Sequence, residues 1–173
     1  MATNPALPAA ASERPARSPE GVPDSRGLNL FDADPTFAAL LGLHLGDALS
    51  AHLRPHFTRL GALAGAELDE LAIAADKDPP TLDGQRVVKS AAYRRMEAVA
   101  FGEYGLAAMS HRGGVLGWPE PLPPAAKYAL SYVYVQAEFG VCCPLSMTDS
   151  LTRTLRKYGD PALVARYLPG LTG

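Results

Sequence analysis

Two adjacent cysteines, Cys142 and Cys143, are the only thiols in the chain. Pro144 marks a helix start beside them, and a thiolate at a helix N-terminus is activated by the dipole and the free amides. No histidine is near in sequence, so two small apolar residues filling a core is the favoured reading. Glu138 stands in the most apolar stretch, Tyr128 to Val141, where a carboxylate must be paired, neutralised or facing a cavity. A structural hydrogen bond is favoured there over a functional role. His52 and His56 are four apart, the spacing of a two-histidine metal site on one helix face. Pro55 interrupts that helix and no cysteine or glutamate stands at ligand spacing, which favours plain helix-end histidines. Arg112-Gly113-Gly114 could bring amides and a guanidinium to a phosphate, although a turn between helices explains it equally well. His111 beside Ser110 makes no triad without a placed acid. Tyr128, Tyr132, Tyr134 and Phe139 could line an acyl or ring pocket, or simply pack a core. These residues by themselves select no activity.

The elements that would position them read as helices. The chain has 173 residues, 47% hydrophobic and 20% charged, which allows one domain with a real core. A formal charge of −2 gives no general electrostatic reason to bind nucleic acid or an anionic membrane. No apolar run approaches the roughly 20 residues of a membrane span. One cysteine pair frames no disulfide scaffold, so a cytoplasmic location is expected.

Residues 1–27, rich in proline and alanine, read as a disordered tail. Their acidic residues argue against a transit peptide. Asp34-Pro35 then predicts a helix start, followed by Phe37, Leu40, Leu41, His44 and Leu45 at helical spacing, with Pro55 as the expected end or kink. A second stripe runs from Leu60 to Ala75 and stops at Asp78-Pro79-Pro80. Asp83-Gly84 signals a turn, and Tyr93, Met96, Ala100 and Tyr104 form a third stripe. After a Gly/Pro-rich loop, 111–124, residues 128–141 read as one central helix through Tyr128, Tyr132, Val135 and Phe139. Another helix follows Pro144, with Asp149 near its start and Arg153, Arg156 and Lys157 near its end to complement the dipole. Asp160-Pro161 opens a short last helix reaching Tyr167, with Pro169 closing it and a linker beyond. The expected class is all-α, five to six helices over residues 28–173.

Several strings carry a family resemblance. Ala75-Asp76-Lys77-Asp78-Pro79-Pro80, Ala92-Tyr93-Arg94-Arg95-Met96, Gln136 through Thr148, and Tyr158-Gly159-Asp160 through Tyr167-Leu168-Pro169 resemble the N-terminal helical domain of acyl-CoA dehydrogenase-like flavoproteins. The Cys143 to Thr148 string is similar to the AidB-type, adaptive-response (DNA alkylation response) group. That resemblance implies a following β domain and C-terminal bundle that hold FAD, an acyl-CoA-like substrate and a homo-oligomer at full length. It also implies that any DNA contact runs through regions absent here. The family's catalytic glutamate lies in the C-terminal domain, so no position here inherits it, and the chain is expected to be a fragment with an exposed apolar docking patch. Glu138, Cys143, Ser146, Met147 and Thr148 are the implied substrate-pocket residues, as one wall of the cavity. The alternative is a non-catalytic helical module, or a DNA-alkylation-response protein whose flavin chemistry is vestigial.

Overall fold

The computed structural model describes residues 24–173, and the expected tail falls almost wholly outside them. The all-α class holds. Helix α1 spans Pro35–Leu45, with the Asp34 carboxylate accepting from Phe37 N at 2.8 Å. The break expected at Pro55 comes instead at Gly46, whose φ of 70° suits glycine. From there α2 (Asp47–Leu63) runs straight through Pro55, a π-turn (Ala64–Leu68) and α3 (Asp69–Lys77). Proline is tolerated because it and Ala51, whose carbonyl loses its donor, are both exposed to water. The inward stripe Leu49, Leu53, Phe57, Leu60, Leu68 and Leu71 is buried, each such side chain contributing about 1.5–3 kcal/mol.

The first described segment crosses this long helix at two glycines. Gly27 N donates to Gly65 O at 2.6 Å and Leu30 N to Gly61 O at 3.1 Å. A Cβ on Gly65 would stand 1.8 Å from Leu28 O, so only glycine admits the crossing. Beyond Pro79-Pro80 there is a small antiparallel hairpin, β1 (Thr81–Asp83) and β2 (Arg86–Val88), turning at Asp83-Gly84. The sequence reading had the turn without the strands, which are too short and too exposed to show a period. Ser90 caps α4 (Ala91–Glu97), which continues as a π-turn (Ala98–Glu103).

Helix α5 (Pro124–Val135) corrects the expected central helix in two respects. It ends at Val135, and it buries Ala126, Lys127, Leu130, Val133 and Tyr134 while Tyr128, Tyr132 and Phe139 face solvent. Two interleaved stripes share this helix, and the one with Ala126, Leu130 and Val133 is buried, with α5 packed on α2 and α1. Tyr134 alone of the four aromatics is fully buried, its hydroxyl donating to Met96 O at 3.1 Å. Helix α6 (Cys142–Tyr158) and α7 (Pro161–Thr172) form a closing hairpin. Pro169 does not close α7, which continues to Thr172 in place of the expected linker.

Candidate functional site

The hairpin α6–α7 is fastened to the body largely through polar groups. One side of α6 carries Leu145, Asp149 and Thr152, spaced four and three apart, and these are its buried residues. Asp149, placed by the sequence near the helix start, lies at mid-helix and is 4% exposed. Its role is therefore not to complement the dipole. Its carboxylate accepts from His111 Nε2 at 2.7 Å, from Lys127 Nζ at 2.7 Å and from Arg153 Nε at 3.2 Å. His111 and Lys127 are 6% and 5% exposed, so loop, α5 and α6 meet at one buried charge.

Burial alone would raise the Asp149 pKa. The hydrogen bonds from Lys127, Arg153 and His111 outweigh it and hold the carboxyl down to about 2. Burial is also the largest influence on His111 and lowers its pKa, partly countered by Asp149. The next residue grips the far end of the hairpin, Arg112 Nε donating to Thr172 O, and Thr172 is the buried residue of α7. His111 and Arg112 thus form a two-point latch.

The acid that Ser110-His111 lacked is Asp149, yet no triad results. Ser110 Oγ is buried with no hydrogen-bond partner, and the His111–Asp149 pair is closed to a substrate. The cluster orients elements and offers no exposed base. Lys127 and Asp149 escaped the sequence reading because pairing between helices leaves no local signature. The sequence showed instead an apolar stripe of Met147, Leu151, Leu155 and Tyr158 on the other side of α6, and most of that stripe is exposed.

The other candidates sort on geometry. The Glu138 carboxylate lies in a turn between α5 and α6, accepting from Gly140 N at 2.7 Å and Val141 N at 2.6 Å. It ties the turn that leads into α6, the structural hydrogen bond that was favoured, while the first helical amides receive no side-chain cap. Cys143, Ser146 and Met147 share an exposed face of α6, while Thr148 is half-buried and its carbonyl accepts from Thr152 Oγ1. Cys142 packs partly against the core, and burial with Glu138 nearby pushes its thiol pKa up, against nucleophilic activation. His52 Nε2 is 2.9 Å from Leu116 O, holding a residue with φ of 53°, and its ring is 5.1 Å from Trp118. Burial, then His52 and Arg59, lowers the His56 pKa. Among the described residues no group of histidine, cysteine and carboxylates could hold a metal.

The Arg112-Gly113-Gly114 turn does not fit a phosphate cradle. A Cβ on Gly113 would lie 2.0 Å from Pro119 O, Gly114 N is spent on Trp118 O, and Arg112 is spent on Thr172. Open grooves among the described residues include two of note. One of about 220 Å³ lies among Ala75, Pro80, Val87 and Tyr93, and one of about 450 Å³ lies between α6 and α7. Neither is lined by Glu138, Cys143, Ser146, Met147 or Thr148.

The family described as Adaptive response protein AidB N-terminal domain matches residues 21–173. The chain belongs to this family. Neither a curated protein nor a solved structure matches it. The match spans every described element of the AidB N-terminal domain, from the glycine crossing on α2 to the α6–α7 hairpin. No helix among the described residues is long and apolar enough to cross a membrane.

Proposed function

We propose that this AidB N-terminal domain is the substrate-side helical lobe of an acyl-CoA dehydrogenase-like flavoprotein, supplying a wall and no reacting group. The observation that carries the reading is the apolar exposure of α5 and the first turns of α6. Phe139 is 78%, Met147 67% and Tyr128 60% exposed, while Tyr132 packs its ring on Phe37. Large aromatic and thioether groups left in solvent along one helix and the next mark a surface that something else completes. Of the pocket residues, Cys143, Ser146 and Met147 share this exposed side, Thr148 supports it, and Glu138 fixes the helix that presents it.

FAD is the expected cofactor of the whole protein. The described residues do not fit it as a complete site, because the one glycine-rich turn is closed on Pro119 and its amide and guanidinium donors are spent. No chemical step is therefore assigned to this chain. Its part is to exclude water and shape the apolar cavity. An acyl-CoA-like ligand, assembly into a homo-oligomer and any contact with DNA belong to the same proposal at full length.

Flavin titration with two samples tests it. The 173-residue chain alone should leave FAD fluorescence unchanged, while the full-length protein should bind FAD and show less apolar-dye binding than the chain. Tight FAD binding by the chain alone, or a full-length protein that takes no flavin, would overturn the proposal.

A further inference from the structure

We propose that His52, His56 and the carbonyl of Leu116 form a binding site for one divalent transition-metal ion of the kind that takes imidazole nitrogen, such as Zn²⁺ or Ni²⁺. The inference is independent of the flavoprotein reading. A spacing of four puts two histidines on one helix face only if the helix is continuous between them, and α2 runs unbroken through Pro55. The two rings lie 5.6 Å apart, centre to centre, and both residues are half-buried. Three side chains of the usual metal-holding kinds meet nowhere among the described residues. The third donor here is main chain. His52 Nε2 is 2.9 Å from Leu116 O, and the same carbonyl acts on His56 as a hydrogen-bond acceptor.

An unusual stretch of backbone aims that carbonyl at the pair. Leu116, at φ 53°, is the one residue other than glycine with positive φ among the described residues, set between Gly114 and Gly117 at 84° and 78°. Such strain persists only where the surroundings fix it, and it gathers at ligand clamps. Ligand atoms held about 2.0–2.1 Å from one ion stand roughly 2.9–3.4 Å from each other, from square to tetrahedral angles. The His52–Leu116 separation falls in that range, so an ion can replace the proton between them, the imidazole keeping its hydrogen on Nδ1. Borderline divalent ions suit imidazole, and water fills the remaining positions from the exposed side. The neighbouring cation is Arg59, whose guanidinium is held by Glu103 at 3.0 Å. Burial, His52 and Arg59 together keep His56 in the neutral form that ligates. Trp118, its ring 5.1 Å from that of His52, stands beside the site as a reporter.

Titration of the 173-residue chain with Ni²⁺, whose unpaired electrons quench a nearby indole, reads the site through Trp118, the single tryptophan. Saturable quenching is expected, reversed by Zn²⁺ or a chelator, and fading below pH about 6 as protons compete for the imidazoles. His52→Gln and His56→Gln should each weaken binding at least about tenfold, the lower bound for disturbing even the support of a metal ligand, with circular dichroism unchanged. His44→Gln, on the exposed side of α1, should bind like the parent. So should Cys142→Ser with Cys143→Ser, which removes the thiols as competing ligands. No saturation below about 1 mM Ni²⁺ would overturn the proposal. So would quenching that survives both histidine substitutions, or quenching that is lost with the thiols.

Discussion

Asp149→Asn isolates the latch that holds α6–α7 in place. Asparagine keeps the shape of the side chain but removes the anion paired with Lys127, a residue that is 5% exposed. Removing one member of a buried pair costs about 3–5 kcal/mol, because the survivor stays desolvated and unpaired. Total stability for a domain is about 5–15 kcal/mol, so about a fifth or more of it is at stake. At about 2–4 °C per kcal/mol for a chain of this size, the melting temperature should fall by roughly 10 °C. The damage should also be local, because Leu145, Asp149, Thr152 and Thr172 are the fully buried residues of the hairpin. Amide exchange should accelerate through α6 and α7, and trypsin should cut after Arg153, Arg156, Lys157 or Arg166 before it cuts α2. The double variant Asp149→Asn with Lys127→Met should recover most of the loss, leaving about 1 kcal/mol for the missing His111 bond. A single variant that melts within about 2 °C of the parent, with exchange unchanged in the hairpin, would refute the latch.

Acid should loosen the domain in two stages. His111 and His56 have lowered pKa values, so the unfolded chain takes their protons first and stability falls as pH drops below about 6.5. His111→Gln should flatten part of that limb in urea midpoints measured against pH. Asp149 contributes about 2 kcal/mol that is complete above pH ~4 and lost as pH falls toward 2, since its folded pKa is the lower one. Glu138→Ala removes both acceptors at the start of α6 and should cost about 1–2 kcal/mol by chemical denaturation. His52→Ala should cost about 1 kcal/mol and shift the emission of Trp118, the single tryptophan, whose ring is 5.1 Å away. Unchanged emission would mean that the histidine does not set the Leu116 loop.

Helix starts were the most legible part of the fold. Asp34-Pro35 and Asp160-Pro161 announce themselves because a cap is a local bond between neighbours, and both are made. Helix ends set by proline were misread at Pro55 and Pro169, each of which lies inside a helix. A missing amide is fatal only where the orphaned carbonyl is buried, and sequence does not report that. The aromatic stripe Tyr128, Tyr132 and Phe139 has the spacing of a core face, yet it looks outward. Periodicity gives a face but not its direction, and Ala126, Leu130 and Val133 offered a competing one. Of the site, Glu138 was legible as a structural acceptor, while the His111–Asp149–Lys127 cluster needed the fold to bring three distant segments together.

The central claim is that this lobe shapes a cavity and contributes no reacting group. Single-turnover flavin reduction by acyl-CoA substrate, measured in the full-length protein, tests it most directly. Glu138→Gln, Cys143→Ser and His111→Gln, introduced one at a time, should each leave the reduction rate within about threefold of the parent, well short of the roughly 10²–10⁴-fold carried by a general acid or base. A loss of about a thousandfold in any one of them, with the fold intact, would place a reacting group in this chain and contradict the account.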